Sequence, residues 1–252
     1  RFALGAVTLA HNLGCVDYLC FGSETADLNQ LKNTAKLLGS DELRTDLKNH
    51  LDTGITFAAA RQKALKQVAP NLDSTVLERP NDTLAIEYIL AAERHKMQAD
   101  FMAVERVGAP HDSIIKSDTI CSASELRKAP AALDLKEPFM PKSSYDIYAD
   151  EVQNKRYSSM YLLDRAMVAH LRTITPEKLR LAPDISEGLE NRIITAANNF
   201  STMDEILSAV KSKRYTHARL RRIILASYLG VNAQLQKNSA PYIRVLGMSE
   251  MG

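Results

Sequence analysis

Val16-Asp17-Tyr18-Leu19-Cys20-Phe21-Gly22-Ser23-Glu24 is the stretch on which the fold turns. An apolar run containing Val, Tyr and Phe stops at a glycine, and a hydroxyl and a carboxylate follow at once. The run predicts a strand over 15–21, buried on both faces as in a parallel sheet. Upstream, Phe2, Val7, Leu9, Ala10 and Leu13 predict a helix that Gly14 stops. Downstream, Leu28, Leu31, Ala35 and Leu38 restore helical spacing over 23–38, and Gly39-Ser40-Asp41 interrupts it.

The same reading gives helices near 41–51 and 55–68, a loop over 70–80 and a helix over 81–94 through Leu84, Ile86, Tyr88, Ile89 and Ala92. A second strand is predicted over 101–107, ending in Gly108-Ala109-Pro110. Ser122-x-x-Glu125 is a capping-box signature for a short helix. This order is that of an α/β fold. Two strands alone do not fill a sheet covered by helices on both faces, so further strands are expected elsewhere in the protein. Pro138 and Pro141 mark a linker over 138–144 and divide the chain into 1–140, an α/β domain, and 141–252, a helical domain. Helices are predicted there over 158–173, 176–181, 187–199, 203–213 and 216–229. The run 240–247 is apolar enough to begin a strand.

The chain has 252 residues, 45 % of them apolar and 25 % charged, with a net charge of +2. That composition suits a globular protein with a real core and does not by itself announce a nucleic-acid binder. Three cysteines, Cys15, Cys20 and Cys121, without CxxC spacing, argue against a disulfide framework and against a zinc site. No run approaches the roughly 18–20 apolar residues of a membrane span and no secretory signal is visible, so a cytoplasmic protein without membrane partners is expected. The chain opens Arg1-Phe2-Ala3 in helical pattern, without methionine, and 245–248 reads as the middle of an element. A piece of a longer protein is expected.

Ligands of open α/β sheets sit beyond the carboxyl ends of the strands, where helix N-termini favour phosphate. Three loops belong at that edge. Gly22 could let a ligand approach the backbone and Ser23 could cap the next helix; a tight strand-to-helix turn would use the same residues for local reasons. In Arg79-Pro80-Asn81-Asp82, Asn81 is suited to an N-cap and its amide to a base or ribose. In Ile120-Cys121-Ser122-Ala123-Ser124-Glu125-Leu126-Arg127, two serines and Arg127 suit phosphate, with Arg106 at the end of the preceding strand. An exposed capping box is the alternative. His111-Asp112 could form an acid–base pair, although adjacent loop residues seldom face each other. His11-Asn12-Leu13-Gly14 has the wrong order for an adenylate-forming HxGH motif and lies in a helix with core periodicity.

Near the end, 211–222 (KSKRYTHARLRR) holds six Lys or Arg and no acid. Read as helix, it puts Arg214, His217 and Arg221 on one face and Leu220, Ile223 and Ile224 on another. Lys211, Lys213, Arg214, Arg219, Arg221 and Arg222 could neutralise RNA phosphates, with Tyr215 and His217 stacking on unpaired bases; a solvated helix face is the alternative.

FGSE after an apolar strand, PNDTLAIEY, ERVGAPHDS, ICSASELRKA, EGLENRII and KSKRYTHARLRRIIL occur here in one order. Together they resemble the bacterial tRNA(Met) cytidine acetate ligases, from Phe2 to Gly247, most weakly over 129–156. The resemblance implies a partial Rossmann-like nucleotidyltransferase domain of HUP type followed by an α-helical, tRNA-binding domain. It implies that ATP activates acetate as acetyl-adenylate, and that the acetyl group passes to the wobble cytidine of elongator tRNA(Met), giving N4-acetylcytidine; Mg²⁺ is expected because ATP is handled with it. By resemblance Gly22, Asn81 and Arg106 contact ATP, and Ser122, Ser124 and Arg127 occupy a second phosphate-binding segment. The family's NPFHNGH-like loop, whose histidines stabilise the reacting phosphorus, is not found within 1–252, so the catalytic groups are expected before residue 1 and this chain alone is expected to be inactive. Asp82 stands where relatives often carry asparagine, and Cys121 where a small residue is usual. A small-substrate adenylyltransferase and a non-catalytic RNA-binding protein are the alternatives.

Overall fold

The computed structural model describes residues 2–106, 121, 126–127, 133, 136–212, 214–238 and 242–249. The chain divides into two compact units, Arg1–Gln153 with Tyr242–Gly252, and Asn154–Pro241. The division falls after the helix Lys142–Gln153 rather than at 140/141.

In the first unit α1 (Phe2–Leu13) leads to β1 (Tyr18–Ser23), then α2 (Leu28–Gly39), α3 (Asp41–Asp52), α4 (Phe57–Val68), a 3₁₀ turn (Ser74–Glu78), α5 (Pro80–His95) and β2 (Asp100–Glu105). Hydroxyl and carboxylate caps set these boundaries: Asp27 accepts from Gln30 N, Ser40 from Leu43 N and Thr56 from Ala59 N. β1 therefore starts and ends later than the apolar run suggests, and α2 begins at Leu28 instead of 23, because Asp27 and not Ser23 caps it.

β1 and β2 pair in parallel, from Tyr18 opposite Asp100 to Ser23 opposite Glu105. They are the two strands of the sheet among the described residues. Phe21, Phe101 and Ala103 pack with Leu31, Ala35, Ile86 and Ile89, while Val7, Ala91 and Ala92 gather near Leu19. Helices α1, α2 and α5 thus cover one face. The other face is open: Tyr18 is 62 %, Met102 51 % and Val104 50 % exposed. The expectation of a strand buried on both faces fails here, because the period-2 alternation sends Tyr18, Cys20 and Gly22 to the uncovered side.

After α6 (Lys142–Gln153), the second unit is helical: α7 (Asp164–Thr173), α8 (Pro176–Arg180), α9 (Leu189–Asn199), α10 (Met203–Val210) and α11 (His217–Tyr228). Leu171, Leu179, Ile193, Ile206 and Leu220 are fully buried in its core. Thr202 and Glu205 form a capping box at α10, and Asp164 Oδ1 accepts from Met203 N at 2.9 Å, tying the start of α7 to the start of α10. Residues 242–249 carry no regular secondary structure, with Leu246 and Met248 largely exposed, and are not the strand their composition suggests.

The one-sided sheet can be tested by substitution. Val104→Thr on the open face is expected to change unfolding free energy by less than about 0.5 kcal/mol. Ile86→Ala under the covered face should cost about 2–5 kcal/mol. Urea unfolding of both variants checks the difference, and comparable losses would contradict it.

Candidate nucleotide site and basic surface

The carboxyl end of β1 and the first turn of α5 are joined by an exchange of carboxylates. Glu24 Oε1 accepts from Asn81 Nδ2 at 2.7 Å and from Asn81 N at 3.2 Å, and Oε2 accepts from Asp82 N at 2.8 Å. In return Asp82 Oδ1 accepts from Ser23 Oγ at 2.5 Å, Glu24 N at 2.8 Å, Thr25 N at 3.2 Å and Thr25 Oγ1 at 3.3 Å. Ser23 Oγ also accepts from Ala26 N at 2.9 Å. Each segment so satisfies the other's free backbone N–H groups. Ser23 and Asp82 are wholly buried. Asp82 Oδ2 has no hydrogen bond among the described residues, and the Arg79 guanidinium stands 3.7 Å from it.

This corrects the local reading of Asn81. α5 begins at Pro80, its N-cap is Arg79 without a side-chain bond, and Asn81 lies inside the first turn. The cap is Glu24, 57 residues away in sequence. At the start of α5 the free backbone N–H groups of Asn81 and Asp82 are already held by the Glu24 carboxylate, and at the start of α2 Asp27 holds Gln30 N.

Burial pushes the Glu24 carboxyl up, but hydrogen bonds from the Asn81 amide and from the backbone N–H groups of Asp82 and Asn81 outweigh it, so its pKa lies below the ordinary 4.5.

Gly22 ends the open face of the sheet. A Cβ built there would meet nothing within 4 Å, and its backbone is not left-handed, so nothing in the fold requires glycine. Arg106 follows β2 and donates its backbone N–H to Ser23 O at 2.9 Å, extending the ladder beside Gly22 and Ser23. Gly22, Asn81 and Arg106 therefore converge on one edge. Ser122, Ser124, His111 and Asp112 lie outside the described residues, as does the Ser122–Glu125 capping box. Arg127 is exposed and helical. His11 stacks on His95 with ring centroids 5.2 Å apart, at the opposite end of α5 from Asn81.

Among the described residues no cluster of three or more His, Cys, Asp or Glu could hold a metal ion, and no helix is long and apolar enough to cross a membrane.

In the second unit the basic run is not one helix. Residues 211–216 connect α10 to α11, so Arg214 does not share a helical face with His217 and Arg221. Tyr215 is buried, with its hydroxyl donating to Ser186 O at 3.0 Å, and cannot stack on a base. Arg219 lies over the Tyr215 ring, 4.7 Å from its centroid, and donates to Asp184 O at 3.0 Å. Arg214 pairs with Glu187, and Arg221 with Asp204 at 3.3 Å. Lys211 and Arg222 are exposed and have no carboxylate partner among the described residues. Lys213 lies outside them.

Comparison with known proteins follows the same lines. The sequence model of the HIGH Nucleotidyl Transferase family matches residues 1–252. The chain belongs to this family. It is 34 % identical over 270 aligned residues to the tRNA(Met) cytidine acetate ligase of Clostridium kluyveri, covering 100 % of this chain and 65 % of that protein. It is 35 % identical over 260 residues to the ligase of the same name from Thermoanaerobacter sp., covering 100 % and 64 %. The chain thus spans slightly under two thirds of the length of these curated relatives. Among solved structures, Thermotoga maritima TmcAL in its apo form superposes with a TM-score of 0.85 at 28 % identity, over 94 % of this chain and 58 % of that one. The same protein bound to alpha-thio ATP gives a TM-score of 0.83 at 27 % identity, over 94 % and 57 %. The α/β unit followed by a helical unit is the fold these similarities share with it.

Neither Glu24 nor Asp82 stood out in the sequence as a site residue. Glu24 closes the FGSE motif and Asp82 follows Asn81, so the signal lay in two motifs that each look complete alone.

The depressed Glu24 pKa fixes a pH dependence. The exchange contributes stability above the ordinary 4.5 and loses it as pH falls through the lower folded value. Glu24→Gln is expected to be less stable than the native chain at neutral pH, with the two converging in acid. Thermal melts across that range check this, and a constant gap at all pH values would contradict it.

Proposed function

We propose that this chain is the nucleotide- and RNA-handling part of an ATP-dependent tRNA(Met) cytidine acetate ligase. The observation that carries the reading is the convergence of Gly22, Asn81 and Arg106 at the carboxyl edge of a parallel sheet, in a chain that aligns along its whole length with proteins of that name. In the reaction an acetate oxygen attacks the α-phosphorus of ATP and pyrophosphate leaves, giving acetyl-adenylate. The N4 amine of the wobble cytidine then attacks the acetyl carbon, loses a proton, and AMP leaves.

The open space above Gly22 gives the nucleoside access to the strand backbone. Asn81 hydrogen-bonds the nucleoside, and Arg106 balances phosphate charge. Ser122, Ser124 and Arg127 add phosphate contacts. Mg²⁺ arrives with the phosphates of ATP, which supply most of its ligands; Asp82 is no candidate for it, being enclosed and facing Arg79. The protein acts in the cytoplasm, where its tRNA is found.

Lys211 and Arg222 are the cations best placed for RNA phosphates. Arg214 and Arg221 exchange exposed ion pairs of small worth for phosphate contacts. Arg219 serves the core through Tyr215.

Acetyl transfer, ATP binding and tRNA binding each test this reading. With ATP, labelled acetate and bulk tRNA, the protein carrying this chain should place label on a cytidine of tRNA(Met), and Gly22→Ala should weaken ATP binding by roughly 5- to 100-fold while leaving the fold intact. Acetate-independent pyrophosphate release without label on RNA would transfer the assignment to a small-substrate adenylyltransferase. Separately, Lys211→Ala with Arg222→Ala should reduce the slope of log affinity for tRNA against log salt by about 2, whereas Arg219→Ala should mainly lower stability. An unchanged slope would remove the basic surface from the RNA interface.

A further inference from the structure

Asn81 has an amide that its surroundings permit in one orientation. Its Nδ2 stands 2.7 Å from Glu24 Oε1, and a carboxylate accepts hydrogen bonds but does not donate them. The NH₂ group must therefore face Glu24, and Oδ1 is turned away from it. Asn81 is partly exposed, and its Oδ1 takes no hydrogen bond among the described residues. Glu24 cannot readily turn aside, because both of its oxygens are engaged and the backbone N–H groups of Glu24 and Thr25 are held by the buried Asp82. Capping α5 does not require this arrangement. The backbone N–H groups of Asn81 and Asp82 would satisfy Glu24 whatever side chain stood at 81. The bond to Nδ2 is additional, and its consequence is to orient the amide.

We infer that Glu24 is a positioning residue that fixes the Asn81 amide so that Oδ1 meets the nucleotide as a hydrogen-bond acceptor, which selects nucleotides carrying a donor at that point, a ribose hydroxyl or the exocyclic amine of the base. This rests on the reading of the Gly22, Asn81 and Arg106 edge as the nucleotide site. It names what Asn81 reads and which neighbour sets that reading. The depressed pKa of Glu24 agrees with it, since the acceptor-only form persists through neutral pH.

Gln at position 24 keeps the shape but can also donate, so Asn81 becomes free to present either end of its amide. The test is calorimetric titration of the native protein that carries this chain, and of its variants Glu24→Gln and Thr56→Ala, the last a helix-cap change at α4 that controls for stability. Each is titrated with ATP, 2′-deoxyATP, 3′-deoxyATP and inosine triphosphate. The native chain and Thr56→Ala should bind one of the three analogues roughly three- to tenfold more weakly than ATP, and that analogue identifies the donor. In Glu24→Gln the ratio should fall towards one, with ATP itself bound more weakly. A merely structural Glu24 would lower stability and leave the ratio unchanged, which overturns the inference while the nucleotide reading stands. Equal affinity of the native chain for ATP and all three analogues overturns it as well. A native protein that carries this chain and binds no ATP overturns the nucleotide reading and the inference with it.

Discussion

The first unit depends on two carboxylates that change places. Glu24 leaves the end of β1 to cap α5, and Asp82 leaves the start of α5 to hold the backbone that follows β1. A buried backbone N–H without a partner costs about 1–3 kcal/mol, and this junction collects several of them in one spot. Solving them reciprocally locks strand end to helix start. The first free N–H groups of α5 are taken by the Glu24 carboxylate, and Asp27 holds Gln30 N at α2.

The second unit treats its cations in a comparable way. A run of six basic residues looks uniform, but folding gives its members different work. Arg219 becomes part of the packing by lying on a buried tyrosine, Arg214 and Arg221 enter exposed ion pairs, and Lys211 and Arg222 face solvent. A guanidinium stacked on an aromatic ring and bonded to a backbone carbonyl is not readily available to RNA. The electrostatic footprint is therefore narrower than the composition of the run implies.

Much of the fold could be read from residue spacing. The helices over 2–13, 41–52 and 57–68 and the parallel character of the strand pair follow from apolar periodicity and from Gly and Ser punctuation. Boundaries were less legible where a cap lies far away in sequence. Asn81 is chemically suited to an N-cap, but Pro80 at the first helical position places the cap at Arg79, and Glu24 arrives from a distant part of the chain to hold the free N–H groups. The open face of β1 was hidden for a related reason: Tyr18 and Cys20 have the composition of buried strand residues, and exposure is decided by what packs above them. Tyr215 shows the reverse error, since an aromatic residue among six cations looks like a stacking platform until its hydroxyl is seen bonded to Ser186. The convergence of Gly22, Asn81 and Arg106 could be anticipated from topology, whereas the roles of Glu24 and Asp82 depend on a contact spanning more than fifty residues.

The central claim is that this sheet edge receives the nucleotide. Nuclear magnetic resonance of the isotopically labelled chain, titrated with ATP, tests it residue by residue. The account predicts that the largest shifts fall on the backbone amides of Gly22, Ser23 and Arg106 and on the side-chain amide of Asn81, with α3 and α4 little changed. Shifts confined to other surfaces, with the Asn81 amide unmoved at saturating ATP, would contradict it.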